Sequence, residues 1–289
     1  MQSRTLQPAF EAGTITLGGD LTVNRMAYGA MRITGDGIWG PPKDHDEAIR
    51  VLKRCLDLGI NFIDTADSYG PYISEELIAE ALYPYPDGLV IGTKGGLLRT
   101  GPSQWPIDGS RKHLQEALDG SLKRLKLDCI DLYQLHRFDS KVPAEEYLGF
   151  LQEMQQAGKI RHIGLSEVDV DQIKQAQEYF EVVSVQNMYN FGEQRWNPTL
   201  KFCEENGIAF IPWYPLSAGN LDAEQVIHRV AERHSATEYQ IALAWLLAAS
   251  PVMLTIAGTS SVNHLEENVQ AATIKLTDED LQDMPLPTH

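Results

Sequence analysis

Short apolar runs alternate with longer amphipathic stretches along most of the chain. The runs have the length and composition of buried strands, whereas the stretches between them repeat apolar positions every three or four residues, as helices do. The predicted strands are residues 26–31, 61–64, 89–94, 129–136, 160–166, 182–186, 208–213 and 253–258. The predicted helices are residues 46–58, 74–82, 110–125, 144–157, 169–180, 195–206, 223–249 (as one broken or two segments) and 264–272.

This alternation predicts parallel strands, because a short return between parallel neighbours requires a crossover helix. Eight strand-and-helix units favour a closed (β/α)8 barrel, and the 289 residues exceed the roughly 250 that such a barrel takes. An open doubly wound sheet is the alternative. Its phosphate-binding G-x-G-x-x-G is missing, however, since the first predicted strand runs through Gly29, Ala30 and Met31 into no such motif.

Residues 14–23 alternate between apolar and polar side chains on either side of Gly18, Gly19 and Asp20, which predicts a β-hairpin before the first barrel strand. We expect this hairpin to cover the base of the barrel. No linker-like or low-complexity stretch interrupts the chain, so residues 1–289 are expected to form one domain.

The amino-acid composition limits which partners the protein can bind and in which compartment it is expected. An excess of 40 acidic over 24 basic residues would repel a nucleic acid backbone. Cys55, Cys129 and Cys203 lack metal-binding spacing, which argues against a zinc site or a disulfide framework and fits a reducing compartment. The first 13 residues lack a signal-peptide core, and the longest apolar run, residues 241–249, is too short to span a membrane. A cytoplasmic protein is therefore expected, of undetermined oligomeric state.

Four ionisable residues stand at or just after the ends of predicted strands: Asp64, Tyr69, Lys94 and His136. In a barrel of this type, catalytic groups come from these ends and the loops that follow. A tyrosine is a weak acid at neutral pH, but a neighbouring ammonium lowers its pKa, and a carboxylate keeps that ammonium charged. A histidine can orient a carbonyl oxygen. Together the four suit carbonyl reduction by hydride, although each alone would also fit an ordinary structural position.

Five motifs, in this order, resemble the aldo-keto reductase superfamily: GINFIDTADSYGPYISEELIAEAL, VIGTKGG, DLYQLH, GKIRHIGLS and IAGTSSVNHLEEN. The resemblance implies that Tyr69 is the general acid, that Lys94 and Asp64 tune it, and that His136 orients the carbonyl. It also implies a nicotinamide cofactor and no metal. The segments WGPP and DSYGP look like the bacterial pyridoxal reductase group, which reduces pyridoxal to pyridoxine.

The resemblance also implies where the cofactor lies. It places Ser166 and Gln186 at the nicotinamide carboxamide and Trp213 against the ring, with Glu167 in place of the family's usual amide. At the adenosine end it implies contacts from Gly258, Thr259, Ser260, His264, Glu267 and Asn268. The basic side chain with which many members hold the 2′-phosphate is missing from this motif. NADPH is expected to be preferred only modestly, with NAD as the alternative.

Three aromatic residues, Trp39, Trp105 and Phe138, fall in or beside loops around the expected mouth, which predicts an apolar pocket for a small carbonyl substrate. Each would also fit a simple loop anchor. Two other functions remain open. One is a redox-sensing regulatory subunit of the same fold, resembling the potassium-channel β subunits. The other is a Schiff-base enzyme using Lys94, which would need a depressed lysine pKa.

Overall fold

The computed structural model describes residues 7–214 and 221–287, so the first six positions, part of the segment where no signal peptide is expected, lie outside it. The strands are β1 (Thr14–Leu17), β2 (Leu21–Asn24), β3 (Met26–Gly29), β4 (Phe62–Asp64), β5 (Val90–Gly95), β6 (Ile130–Leu135), β7 (Ile160–Ser166), β8 (Val182–Met188), β9 (Ala209–Trp213) and β10 (Thr255–Ala257). The helices are α1 (His45–Asp57), α2 (Ile73–Leu82), α3 (Arg111–Leu125), α4 (Ala144–Gln156), α5 (Val170–Gln177), α6 (Asn197–Asn206), α7 (Leu221–His234), α8 (Glu238–Ala249), α9 (Val262–Gln270) and α10 (Asp278–Asp283).

Strands β3 to β10 form one parallel sheet in which neighbours pair in chain order and β10 pairs with β3. Phe210 of β9 closes the gap between β9 and the segment that leads into β10. Its N–H donates to the Val252 carbonyl oxygen at 2.9 Å, and its carbonyl oxygen accepts from the Leu254 N–H at 2.9 Å. The predicted (β/α)8 barrel is therefore confirmed, with its helices outside the ring of strands.

The helices begin and end close to the predicted positions, with local differences at their ends. The predicted segment 223–249 is two helices, divided where Ser235 adopts a φ of 50° and Thr237 starts α8 with a capping box to Gln240. Helix α10 and three short 3₁₀ helices, Pro8–Ala12, Ala30–Ile33 and Ala271–Thr273, were not predicted. Within the described ranges, no helix is long and apolar enough to cross a membrane.

The N-terminal hairpin, β1 and β2, closes the base of the barrel, as predicted. Leu17 and Leu21 are buried in one apolar cluster with Phe62 and Leu132 of the barrel strands. At the tip of the hairpin, the Asp20 carboxylate accepts hydrogen bonds from Arg161 Nη2 at 2.8 Å and from His162 Nε2 at 2.6 Å. Both partners lie near the start of β7. The hairpin is therefore fixed at the end of the barrel where the strands begin, opposite their carboxyl ends.

We expect Leu17→Ala to lower the free energy of unfolding by about 2–5 kcal/mol, because the lost side chain leaves a cavity between the hairpin and the barrel interior. Urea unfolding followed by circular dichroism measures this loss. Thr16→Ala is the matched control, since Thr16 is exposed on the same strand. An equal loss in both variants would show that the hairpin does not pack as a plug.

Candidate active site

A buried ion pair lies at the carboxyl ends of adjacent strands β4 and β5. Lys94 Nζ lies 2.6 Å from Asp64 Oδ2 and donates a second hydrogen bond to the Thr65 carbonyl oxygen at 2.8 Å. The other carboxylate oxygen, Asp64 Oδ1, accepts from Gln134 Nε2 at 2.9 Å and from Gln186 Nε2 at 3.0 Å. Both charges are thus surrounded by hydrogen bonds, as buried charges require.

Tyr69 and His136 complete the predicted catalytic set. Tyr69 lies in the loop after β4, and its hydroxyl oxygen is 3.3 Å from Lys94 Nζ. The His136 ring lies beside it, with ring centroids 6.1 Å apart at 81°. His136 Nδ1 is buried and has no partner among the described residues. The structure brings all four predicted catalytic residues together.

Burial governs the protonation states of these groups. It raises the pKa of Tyr69 above its usual value, against the opposing effect of the Lys94 ammonium. It lowers the pKa of His136 well below the usual value, and the Lys94 and Arg137 cations lower it further. At neutral pH the tyrosine is therefore protonated and the imidazole is neutral.

The lysine behaves differently, because its counterion lies against it. Burial alone would lower the pKa of Lys94, but Asp64 and Tyr69 together raise it. Lys94 is thus an ammonium, whereas a Schiff-base lysine needs a depressed pKa. For Tyr69 the expectation is corrected in one respect: Lys94 does favour the phenolate, but the loss of water around the ring outweighs it.

Tyr69 and His136 face a cavity of about 770 Å³ at the mouth of the barrel. Of the residues predicted to contact a cofactor, four line this cavity: Ser166, Gln186, Trp213 and Gly258. Trp105, predicted to contact substrate, also lines it. In the described ranges, no group of three His, Cys, Asp or Glu side chains is placed to hold a metal ion.

Glu167, which directly follows Ser166, holds the indole of Trp213. Its Oε1 accepts from Trp213 Nε1 at 2.8 Å and from the Met188 N–H at 2.6 Å. The chain turns sharply here, with a φ of 54° at Glu167 directly after β7. This carboxylate therefore fixes the aromatic wall of the cavity.

The three predicted substrate-contacting aromatics have different positions. The Trp105 ring lies edge-on to Tyr69, with centroids 6.4 Å apart. Trp39 is outside the cavity lining and contacts the Arg99 guanidinium, 5.5 Å from its ring centroid. Phe138 is also outside the lining, because its ring packs edge-on against Tyr147 of α4. Of the three aromatic residues, Trp105 alone belongs to the cavity lining, and substrate contact stays a prediction for all of them.

Arg99 ties the loops of the mouth together, and sequence motifs did not reveal it. Its guanidinium lies 3.6 Å from the ring centroid of Trp105. It donates hydrogen bonds to five backbone carbonyl oxygens in the loops after β3, β4 and β5, those of Gly37, Ile38, Ser68, Gly101 and Gln104. One side chain therefore holds three otherwise separate loops around the cavity.

The loop after β10 packs against β3, the first strand of the barrel. A methyl group on Gly258 would be 2.9 Å from the Gly29 carbonyl oxygen and 3.8 Å from Arg32 Cγ, so a side chain here would collide with β3. Arg32 lines both the main cavity and a second cavity of about 360 Å³ that also includes Ser260 and Lys43. The tertiary structure thus brings basic side chains to a motif that has none of its own.

The other residues predicted for the adenosine end lie outside both cavity linings. Thr259 Oγ1 accepts from the Ser261 N–H at 3.2 Å, within the loop itself. His264 is exposed and Asn268 is buried in α9, while Glu267 accepts from Gln240 through its carbonyl oxygen. These residues therefore do not share the cavity that Ser166 and Trp213 line.

An acidic side chain already lies at the start of α9. Glu47 Oε1 accepts from the Val262 N–H at 2.8 Å, and this hydrogen bond lowers the pKa of Glu47. Because helix N-termini attract anions, a bound phosphate would have to share this region with a carboxylate.

Two further residues of the site had a sequence signal that motif reading did not use. Gln134 is a polar residue inside an apolar strand, two positions before His136, and so shares its face. Arg137 directly follows His136 and lines the cavity.

Comparison with known proteins gives consistent matches over almost the whole chain. The aldo/keto reductase family profile matches residues 25–285. An uncharacterized oxidoreductase of Schizosaccharomyces pombe is 54% identical, covering 94% of this chain and 88% of its own length. Pyridoxine 4-dehydrogenase of Escherichia coli is 42% identical, covering 93% of this chain and 96% of its own length.

Two further matches extend this result. An aldo-keto reductase of Schizosaccharomyces pombe, whose name includes NADP(+), is 32% identical over 90% of this chain and 87% of its own length. The crystal structure of a thermostable aldo-keto reductase with the inhibitor epalrestat has a TM-score of 0.80 at 30% identity and covers 93% of this chain and 97% of that one.

We expect Arg99→Met to speed amide hydrogen exchange in residues 35–40 and 98–106 by at least about tenfold, because five carbonyl oxygens lose their common donor. Mass spectrometry of peptic fragments measures this. Arg111→Met is the control, since that arginine pairs with Glu153 on the outer surface. Unchanged exchange in both loops would show that Arg99 does not hold the mouth.

Proposed function

This chain belongs to the aldo/keto reductase family, and we propose that it reduces a small aldehyde or ketone to the alcohol with NADPH, pyridoxal to pyridoxine being the first reaction to test. The observation that carries this proposal is the contact of the Tyr69 hydroxyl with the buried Lys94–Asp64 pair in the wall of a cavity that His136 shares. Pyridoxal is chosen because a relative 42% identical is named for the reverse reaction.

Tyr69 is the proposed proton donor to the carbonyl oxygen. Its pKa lies above the usual value, so the hydroxyl keeps its proton until the reaction. As charge develops on the substrate oxygen, the proton moves across, and the resulting phenolate is stabilised by the Lys94 ammonium. Asp64 keeps that ammonium charged and in position.

His136 is proposed to orient the carbonyl. Because its imidazole is neutral, it carries one N–H, which can donate to a carbonyl oxygen between His136 and Tyr69. Two donors then act on one oxygen, which polarises the carbonyl bond and places its carbon for attack.

The residues of the cavity fit a nicotinamide cofactor. The Trp213 indole, fixed by Glu167, offers a flat apolar face, while Ser166 and Gln186 offer polar groups on the same cavity wall. Gly258 lets the backbone of its loop approach β3 closely. When bound, NADPH would supply the hydride.

NADPH is proposed over NADH, with a modest preference. A relative 32% identical carries NADP(+) in its name, and Arg32 lies beside the Gly258 loop to meet a phosphate. Glu47 at the start of α9 opposes such a charge. Thr259, Ser260, His264, Glu267 and Asn268 stay predicted adenosine contacts.

A cytoplasmic protein acting on a small molecule, without nucleic acid or membrane partners, remains our expectation. The regulatory-subunit alternative retains the fold and the cofactor but predicts no turnover. Steady-state oxidation of NADPH by a panel of aldehydes that includes pyridoxal, followed at 340 nm, separates the two. The Schiff-base alternative is disfavoured by the raised pKa of Lys94.

We expect Tyr69→Phe to lower kcat for carbonyl reduction by about 10²- to 10⁴-fold, because the transferable proton is lost. The Kd for NADPH, measured by quenching of protein fluorescence, should stay nearly the same. Tyr72→Phe is the control, since Tyr72 is an exposed tyrosine close by in the chain. Retention of more than about a tenth of the wild-type kcat would assign the proton to another donor, with His136 the next candidate.

We expect Arg32→Met to weaken NADPH binding by about one to two decades while NADH binding changes less, because a charge-assisted hydrogen bond to the 2′-phosphate is lost. Glu47→Gln should act in the opposite direction. Fluorescence titration of both cofactors measures the ratio of the two Kd values. An unchanged ratio in both variants would place the 2′-phosphate elsewhere on the chain.

A further inference from the structure

Arg137 brings a positive charge into the wall of the reaction cavity. It follows His136 at the end of β6, and its side chain lines the cavity with Tyr69, His136 and Ser166. One nitrogen, Nη1, donates to the His136 carbonyl oxygen at 2.5 Å and to Ser166 Oγ at 3.0 Å. These two contacts hold the guanidinium in place beside the catalytic pair.

The Glu167 carboxylate acts on this charge electrostatically and, against the effect of burial, raises the pKa of Arg137, but its ion pair is with Arg195. Two acidic side chains of the site are bound by other groups. Asp64 is bound by Lys94, and Glu167 is bound by Trp213, by the Met188 N–H and by Arg195. Burial lowers the pKa of Arg137, which reflects the cost of keeping this cation partly out of water. Its side chain nevertheless lines the cavity, where a ligand can reach it.

We propose that Arg137 binds an anionic oxygen of the substrate, so that the enzyme prefers carbonyl compounds carrying a carboxylate or a phenolate close to the reacting group. This rests on the proposed function. A fork of guanidinium N–H groups suits such oxygens, because it can donate two parallel hydrogen bonds.

The position of Arg137 sets the geometry of the preferred substrate. Its guanidinium is bound to the His136 carbonyl oxygen, and both side chains line the same cavity, so the anionic group would lie on the side of the substrate that faces His136. Pyridoxal meets this condition, because its ring hydroxyl is on the carbon next to the one that bears the aldehyde.

The preference for anionic substrates must come from direct contact with Arg137, rather than from the electrostatic field of the whole protein. Glu224 of α7 also lines the cavity, and the chain as a whole carries a net charge of −16. A diffuse field from so acidic a protein would not attract anions. A variant that removes a nearby but exposed positive charge should therefore not reproduce the effect of removing Arg137.

The test compares substrate pairs that differ only in charge. One arm uses 3-carboxybenzaldehyde and its methyl ester, and the other uses pyridoxal and its 3-O-methyl ether. The readout is the ratio of kcat/KM within each pair, which cancels effects on folding or cofactor binding. The arms separate a preference for carboxylates from one for phenolates, and a gain in either arm supports the proposal.

We expect Arg137→Met to lower the charged-to-neutral ratio by about 10- to 100-fold, as the loss of a charge-assisted contact implies. Arg137→Lys should restore part of it, because the charge remains and the fork is lost. Arg195→Met is the matched control, since Arg195 is exposed and pairs with Glu167, and the ratio there should change by less than about twofold.

A binding measurement gives a readout independent of turnover. Benzoate, titrated into enzyme loaded with NADP⁺, should bind at least about tenfold more weakly to Arg137→Met than to the wild type. Equal ratios in wild type and Arg137→Met, or an equal fall in Arg195→Met, would overturn the inference. Failure of the wild type to turn over any of the four compounds, charged or neutral, would instead refute the proposed function, and benzoate binding would still decide whether Arg137 holds an anion.

Discussion

The catalytic end of this barrel depends on the buried ion pair between Lys94 and Asp64. Two opposite charges removed from water are stable only when they are tightly paired and their other polar atoms are hydrogen-bonded. Here the hydrogen bonds come from Thr65, Gln134 and Gln186, so the pair joins groups at or just beyond the ends of β4, β5, β6 and β8. The same contacts that make the pair stable hold the ammonium at the Tyr69 hydroxyl.

Burial acts in opposite directions on the neighbours of this pair. It keeps Tyr69 protonated and His136 neutral, because each would otherwise carry an unpaired charge out of water. Lys94 remains charged because its counterion is 2.6 Å away. One low-dielectric site thus contains a protonated phenol, a neutral imidazole and a fixed cation, which are the parts that the proposed carbonyl reduction needs.

Three arginines outside the family motifs shape the mouth above this site. Arg99 donates its hydrogen bonds to backbone carbonyl oxygens and packs against Trp105, which stabilises this wall of the cavity. Arg32 and Arg137 both line the main cavity, Arg32 beside the Gly258 loop and Arg137 beside His136. In a chain with a net charge of −16, local placement therefore matters more than composition for the ligands that the site accepts.

The sequence by itself determined the eight strand-and-helix units, the hairpin and the meeting of Asp64, Tyr69, Lys94 and His136 at one end of the barrel. Periodicity reports which side of each element is buried, and parallel strands bring their carboxyl ends together without further information. Only the tertiary structure decided that Glu167 holds Trp213, that Arg32 reaches Gly258, and that Trp105 rather than Phe138 lines the cavity. These contacts join loops from different strands, and their geometry depends on the path of each loop, which is set by packing and hydrogen bonds between distant segments rather than by any repeat along the chain.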